Sequence, residues 1–160
     1  MKEKSYSDKL KDIDFEFQIF GEGPLEAELK SLAKNLGVDK QVKFMGVIPN
    51  SKVPNALSKM DIFCATSENE SFGVAVVEAM SCGLPVVATD IDGFREVIGE
   101  DGAGVLVEPK SPISVANAII DLSLSPEKRL NLSGRARQRI EDLYSWRNNV
   151  QGMTELYSNI

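Results

Sequence analysis

The chain has 160 residues, 42% hydrophobic and 26% charged, which is enough for one globular domain with a substantial core. Its 18 lysines and arginines against 24 aspartates and glutamates leave a net charge of −6, which argues against a general nucleic-acid binder. Histidine is absent, so neither an imidazole metal site nor a histidine base can exist here. The two cysteines, Cys64 and Cys82, lie in apolar or small-residue runs and are expected to be reduced and buried, as in a cytoplasmic protein. The opening Met-Lys-Glu-Lys-Ser is polar and does not read as a signal peptide. No apolar run approaches the roughly 18 residues needed to cross a bilayer.

Strand and helix signals alternate along the chain. Residues 14–20, DFEFQIF, read as an aromatic-rich strand ending at Gly21. Pro24 then opens a helix with Leu25, Leu29, Leu32 and Leu36 on one stripe, and Gly37 stops it. Residues 41–46 form a short second strand. Asn50 or Ser51 caps a helix running to about Met60, with Pro54 tolerated in its first turn. Residues 61–66, DIFCAT, are almost wholly apolar, as a strand covered on both faces should be. A loop follows, then a helix from about Phe72 to Cys82, a stop at Gly83 and a fourth strand, PVVAT. Beyond a turn at Asp92 and Gly93 come a short helix, FREVIG, and a fifth strand over 103–108. Ser111-Pro112 and Ser125-Pro126 each pair a cap with a first-turn proline, and Ser145-Trp146 opens a last helix. That helix carries Trp146, Val150, Met153 and Tyr157 on one stripe, which is expected to be core. The alternation predicts a Rossmann-like α/β domain, a parallel sheet with helices on both faces.

The stretch SENESFGVAVVEAMSCGLPVVATD, residues 67–90, concentrates the chemistry. In such sheets ligands bind beyond the carboxyl ends of the strands, where loops meet helix starts. Ser71, Phe72 and Gly73 enter the helix there, and its free N–H groups and dipole favour an anion such as a diphosphate. Glycine at 73 lets the backbone approach a ligand. Glu70 and Glu78 flank this start, eight positions apart. Carboxylates accept hydrogen bonds and do not donate them, so their natural partners are vicinal hydroxyls rather than phosphates. Sugar, diphosphate and ribose in a row match that layout. Taken singly, Glu70 reads as a solvated acid near a helix start and Glu78 as a surface position. Against that, Glu78 lies within VAVVEAM, where a buried carboxylate would need a partner.

The segment SENESFGVAVVEAMSCGLPVVATDIDGFREVI resembles the E-x7-E signature of the group 1 retaining glycosyltransferases with the GT-B fold. FQIFGEGPLEAELKSLAKNLGVDKQVKFMGVIP, GAGVLVEPKSPISVANAI and YSWRNNVQGMTELY are similar to further segments of that family, in the same order. The resemblance implies half of a GT-B fold: a nucleotide-sugar-binding C-terminal domain over residues 1–160, lacking the N-terminal acceptor domain and its own first strand. It implies that Glu70 contacts the transferred sugar, as the catalytic residue. The amides of Ser71, Phe72, Gly73 and Val74 would meet the phosphates, and Glu78 the ribose. Val47 and Ile48 would pack on the base. The implied activity is retaining hexosyl transfer from a nucleoside-diphosphate sugar to an acceptor hydroxyl. No metal or other cofactor is expected, nor a nucleic-acid partner, and membrane association of a longer parent is left open.

Three positions depart from the family pattern. Ser71 stands where glycine is common, Thr66 where proline is frequent, and Asp92 where glycine is frequent. Asp92 facing a donor would repel phosphate, so that turn is assigned no binding role. Lys2 and Lys4 read as solvated and do not replace the basic loop that neutralises the diphosphate in the family. Weak nucleotide binding and negligible transfer are therefore expected of these 160 residues alone. Two other readings remain: a non-catalytic nucleotide-binding or interaction module of the same fold, and a nucleotide-sugar epimerase, which fits the E-x7-E stretch less well.

Overall fold

The computed structural model describes residues 14–100 and 102–158, and Lys2 and Lys4 lie outside them. The chain divides into two compact units, one up to Val53 and one from Pro54 onward.

In the first unit, β1 (Phe17–Phe20) pairs in parallel with β2 (Val42–Gly46), Phe17 opposite Val42 and Ile19 opposite Phe44. Parallel pairing needs a crossover, and α1 (Glu26–Asn35) supplies it. Pro24 lies in the turn before α1 rather than in its first turn, because the helix begins at Glu26. The leucine stripe is not buried. Leu25, Leu29, Leu32 and Leu36 are all exposed, Leu36 at 67%, and Ala33 alone is buried on α1. The periodicity was right, but the stripe finds no cover from this two-stranded sheet. Instead Lys30 pairs with Glu26 across one turn and lies 5.2 Å from the centre of the Phe44 ring.

The chain then enters a 3-10 turn, Asn50–Lys52, and α2 (Val53–Leu57). Pro49 precedes this turn and no side chain caps it, so neither Asn50 nor Ser51 acts as the predicted cap. Pro54 does sit in the first turn of α2, as its missing N–H requires.

The second unit holds a three-stranded parallel sheet in the order β3 (Phe63–Ala65), β4 (Val86–Thr89), β5 (Val105–Val107). Cys64 lies opposite Val87, and Val87 opposite Val105. The helices are α3 (Val74–Ser81), α4 (Asp92–Ile98), α5 (Pro112–Leu124), α6 (Pro126–Leu143) and α7 (Trp146–Ser158). Every residue of β4 is buried. Successive strand side chains point to opposite faces, so both faces of β4 are covered. Val87 joins Val107 and Leu122 in one cluster, packed by Cys64, Val115, Ala118 and Ile119. That is the face covered by α5, while α3 packs on β3 and β4 and against α4 and α6.

Helix ends follow the local sequence closely. Ser111 and Ser125 accept from the amides of Ser114 and Lys128, three residues on, ahead of Pro112 and Pro126. At the end of α3, Gly83 takes φ +73°, and the Leu84 amide reaches back to the Ala79 carbonyl at 3.0 Å, a left-handed stop that favours glycine. Arg139 of α6 donates to the carbonyls of Val97 and Glu96 at the end of α4. The α7 stripe departs from expectation. Trp146 is 85% exposed, and Val150, Met153 and Tyr157 are exposed too, so no residue of α7 is core. Among the described residues no helix is long and apolar enough to cross a membrane.

Two outcomes follow from this burial. Leu122→Ala should cost about 2–5 kcal/mol in urea denaturation, whereas Trp146→Ala should stay within about 0.5 kcal/mol; equal losses would contradict the packing. Burial raises the Cys64 thiol from its ordinary 9.0 to about 11, so at neutral pH it should resist thiol reagents until the chain unfolds. The folded state then holds that proton more tightly than the unfolded one. Wild type should accordingly lose stability relative to Cys64→Ala as pH climbs from 9.0 toward about 11.

Candidate functional site

The loop 66–73 leaves the C-terminal end of β3, where parallel sheets carry their sites. Its base is tied down from two neighbouring strands. Thr89, buried at the end of β4, donates through its hydroxyl to the Ser67 carbonyl. Lys110, just past β5, pairs with Glu68 at 3.1 Å. Both of those side chains are exposed, so the pair contributes little on its own.

The tip of the loop forms a small amide nest around Glu70. The Glu70 carboxylate accepts from the Ser71 amide at 3.0 Å and from the Phe72 amide at 3.4 Å, both on the same oxygen. Ser71 and Phe72 were expected to enter the helix. They lie before it, because Gly73 adopts φ +85°, ψ +53° and α3 starts only at Val74. No side chain caps this start and its first turn holds no acid. The amides that open α3 therefore have no intrahelical acceptor. Val74 is exposed there, Gly73 is buried, and the Phe72 ring meets the Tyr144 ring edge-on at 5.5 Å.

Glu78 lies one turn into α3, about 6 Å along the axis from Val74 at 1.5 Å per residue. It is exposed, as the surface reading had it, and its apolar neighbours do not bury it. Val76, Ala79 and Met80 take the buried face, and Glu78 projects from the other side of the same turn. Glu70 is exposed as well. Val47 and Ile48 follow β2 in the first unit, Val47 exposed and Ile48 half-buried.

Two supporting residues escaped the sequence reading. Gly93, in the first turn of α4, comes so close to the loop that a Cβ there would lie 2.2 Å from the Glu70 carbonyl oxygen. Phe94, 2% exposed, packs its ring under Gly73. The signal available was the pair Gly93-Phe94 after a buried strand, Gly93 read only as a turn and Phe94 only as the start of a short helix. Asp92 next to them pairs with Arg95 at 2.8 Å, and Arg95 also pairs with Asp90 at 2.8 Å. An open surface depression lined by Asp92, Arg95, Glu96, Gly99, Glu100 and Arg139 lies on α4 and α6 and includes neither Glu70 nor Glu78. Among the described residues no group of three or more Cys, Asp or Glu side chains is arranged to hold a metal ion.

Residues 4–139 match the family described as Glycosyl transferases group 1. The chain belongs to that family. A D-inositol 3-phosphate glycosyltransferase of Corynebacterium urealyticum is 33% identical over 132 residues, covering 82% of this chain and 31% of that protein. The structure of Anabaena HepE in complex with UDP-glucose aligns with a TM-score of 0.80 at 26% identity, over 96% of this chain and 44% of that one. The C-terminal domain of a group 1 glycosyltransferase, LpcC, from Francisella tularensis aligns at 0.78 and 29% identity, over 87% of this chain and 75% of that domain. This group 1 glycosyltransferase chain thus has the α/β architecture of GT-B enzymes, parallel sheets flanked by helices. It spans less than half the length of the curated relatives it matches.

The anchoring of the loop yields a test. Thr89→Val leaves the Ser67 carbonyl without its donor and should cost about 1–3 kcal/mol. Hydrogen exchange at Ser71 and Phe72 should accelerate in that variant, and wild-type exchange and stability together would remove Thr89 from the account.

Proposed function

We propose that this chain is the donor-binding C-terminal domain of a retaining glycosyltransferase, which moves a sugar from a nucleoside-diphosphate sugar to an acceptor hydroxyl. One observation carries the reading: two consecutive amides, Ser71 and Phe72, converge on a single anionic oxygen beside an uncapped helix start. An arrangement that accepts a carboxylate oxygen accepts a phosphate oxygen by the same donors and the same dipole. HepE, 26% identical, was crystallised with UDP-glucose, which supports that ligand class.

In the free chain the Glu70 carboxylate itself occupies these amides. Donor binding is then an exchange of anions. The diphosphate takes the amides of Ser71 and Phe72 and the helix start at Gly73 and Val74, and the released Glu70 carboxylate accepts from hydroxyls of the sugar. Glu78 accepts from the ribose hydroxyls one turn further on; a contact of Val47 and Ile48 with the base is proposed from the family resemblance alone. Donors fixed before the reaction stabilise the diphosphate as it leaves, with Glu70 holding the sugar in line. No metal takes part in this reading. An acceptor domain elsewhere in a longer protein would complete the enzyme.

A second reading, an interaction module, is favoured by the exposed Trp146, Val150 and Met153. Titration of the full chain with UDP and with GDP, followed by amide NMR, separates the two. The donor reading expects shifts at Ser71, Phe72, Gly73 and Val74, and about tenfold weaker binding in Glu78→Gln, which loses a charged acceptor. Binding by Glu78→Gln at wild-type strength would sink it, and no response to either nucleotide leaves the module.

A further inference from the structure

Two glycines on different elements interlock beneath the candidate site. A Cβ at Gly93 would lie 2.2 Å from the Glu70 carbonyl oxygen, 2.9 Å from its carbon and 3.0 Å from the Ser71 carbonyl carbon. In the opposite direction, a Cβ at Gly73 would meet Cδ1 and Cε1 of Phe94 at 2.8 and 2.9 Å. Each element therefore provides the glycine into which the other packs. Even close carbon–oxygen contacts stay near 3.3 Å or beyond. A methyl group at 93 would thus push the Glu70–Ser71 backbone away by about 1 Å. The alternative, movement of α4, is opposed by its core: Gly93, Phe94, Val97 and Ile98 are all buried. The loop yields first, since Glu70 and Ser71 are exposed.

We propose that Gly93 and Phe94 are positioning residues for Glu70. They touch no ligand in this account. Acting through the backbone of residues 70–73, they set where the Glu70 side chain is rooted and which amides its carboxylate can reach. The hydrogen bond to Phe72 already spans 3.4 Å, so a shift of that size breaks it. For binding, the inference rests on the donor reading, in which the same shift misplaces Glu70 against the sugar. A displacement of about 1 Å can cost two orders of magnitude in such a site. For the loop itself, it stands without any nucleotide.

The test uses the full chain as wild type, Gly93→Ala, Phe94→Leu, Glu70→Ala and the double variant Gly93→Ala with Glu70→Ala. The first readout is amide exchange at Ser71 and Phe72, with Val87 and Ala88 of β4 as internal reference. Glu70→Ala should speed those two amides about tenfold by removing their acceptor. Gly93→Ala should do the same while the β4 amides keep their wild-type rates. Phe94→Leu withdraws the ring from Gly73 without inserting a group at 93 and should speed the same two amides; it decides the matter if Gly93→Ala does not fold. The second readout is titration with UDP-glucose. Gly93→Ala should weaken binding at least about tenfold, and the double variant should bind no more weakly than Glu70→Ala alone. Additive losses would mean general destabilisation and overturn the proposal. So would wild-type exchange at Ser71 and Phe72 in the variants that fold. Should UDP-glucose fail to bind wild type at all, the donor reading falls, and the exchange rates still decide the positioning role.

Discussion

Val86, Val87, Ala88 and Thr89 lie buried in a strand whose side chains alternate between two faces, and the site is built outward from that burial. A short strand that is wholly buried is stable only between covering layers, so β4 fixes α5 on one face and engages α3 as well. Its last residue, Thr89, is polar and dry, and a dry hydroxyl needs a partner. The Ser67 carbonyl is that partner. One buried hydrogen bond thus hands the position of the core to the first residues of an exposed loop. Six residues after Ser67 the chain turns at Gly73 into α3, whose buried face packs back on the same strands. Both ends of the loop are referred to one strand, and its tip rests on α4.

At that tip, electrostatics and geometry favour an anion whichever molecule supplies it. The start of α3 has no side-chain cap and no acid in its first turn, so its partial positive charge is not answered from within the helix. Glu70 answers instead the two amides that precede the helix, those of Ser71 and Phe72. Hydrogen bonds to a charged acceptor contribute about 1.5–3 kcal/mol each, but replacing one carboxylate by one phosphate oxygen keeps those bonds and changes mainly the charge. On the donor reading, a diphosphate carries more charge than a carboxylate, which would tilt the exchange toward the ligand. The freed carboxylate would then need donors, and sugar hydroxyls would supply them. On that reading, a self-satisfied loop in the free chain and a hydroxyl-seeking acid in the complex are two states of one side chain.

What the sequence made legible was local. The serine–proline pairs at 111–112 and 125–126 became caps with prolines in the first turn, and Gly37 and Gly83 ended their helices, because each signal acts within four residues. Among the described residues, five strands and seven helices follow one another in the order the alternation predicts, with shorter strand ladders and shifted helix ends. Burial was another matter. Periodicity states that a helix has an apolar face; it does not state what covers it. Hence the α7 stripe was read as core and is exposed, the α1 stripe is exposed as well, and Glu78, left open between surface and interior, lies exposed while Val76, Ala79 and Met80 take the buried face. The helix start at Val74 rather than Phe72 followed from the left-handed Gly73, where glycine permitted the turn without demanding it. Gly93 was hardest of all, since its meaning lies in a contact with residue 70, across a strand and a helix of intervening chain.

The two glutamates, alike in the sequence, differ in how they are held, and the difference suits different tasks. Glu78 rises from a helix whose opposite face, Val76, Ala79 and Met80, has no exposed surface at all. Its root can move only if α3 moves, which would open the core. Glu70 sits on a loop whose carboxylate is held by two amides of its own neighbourhood and can be released without disturbing any packed residue. On the donor reading, the fixed acid meets the ribose, the part shared by every nucleoside diphosphate. The adjustable one meets the sugar, the part that is transferred and must change its bonds. On that reading, a rigid helix for the constant end and an exchangeable loop contact for the reacting end follow from one packing arrangement, in which α3 is locked to β4 and the tip of the loop before it rests on α4.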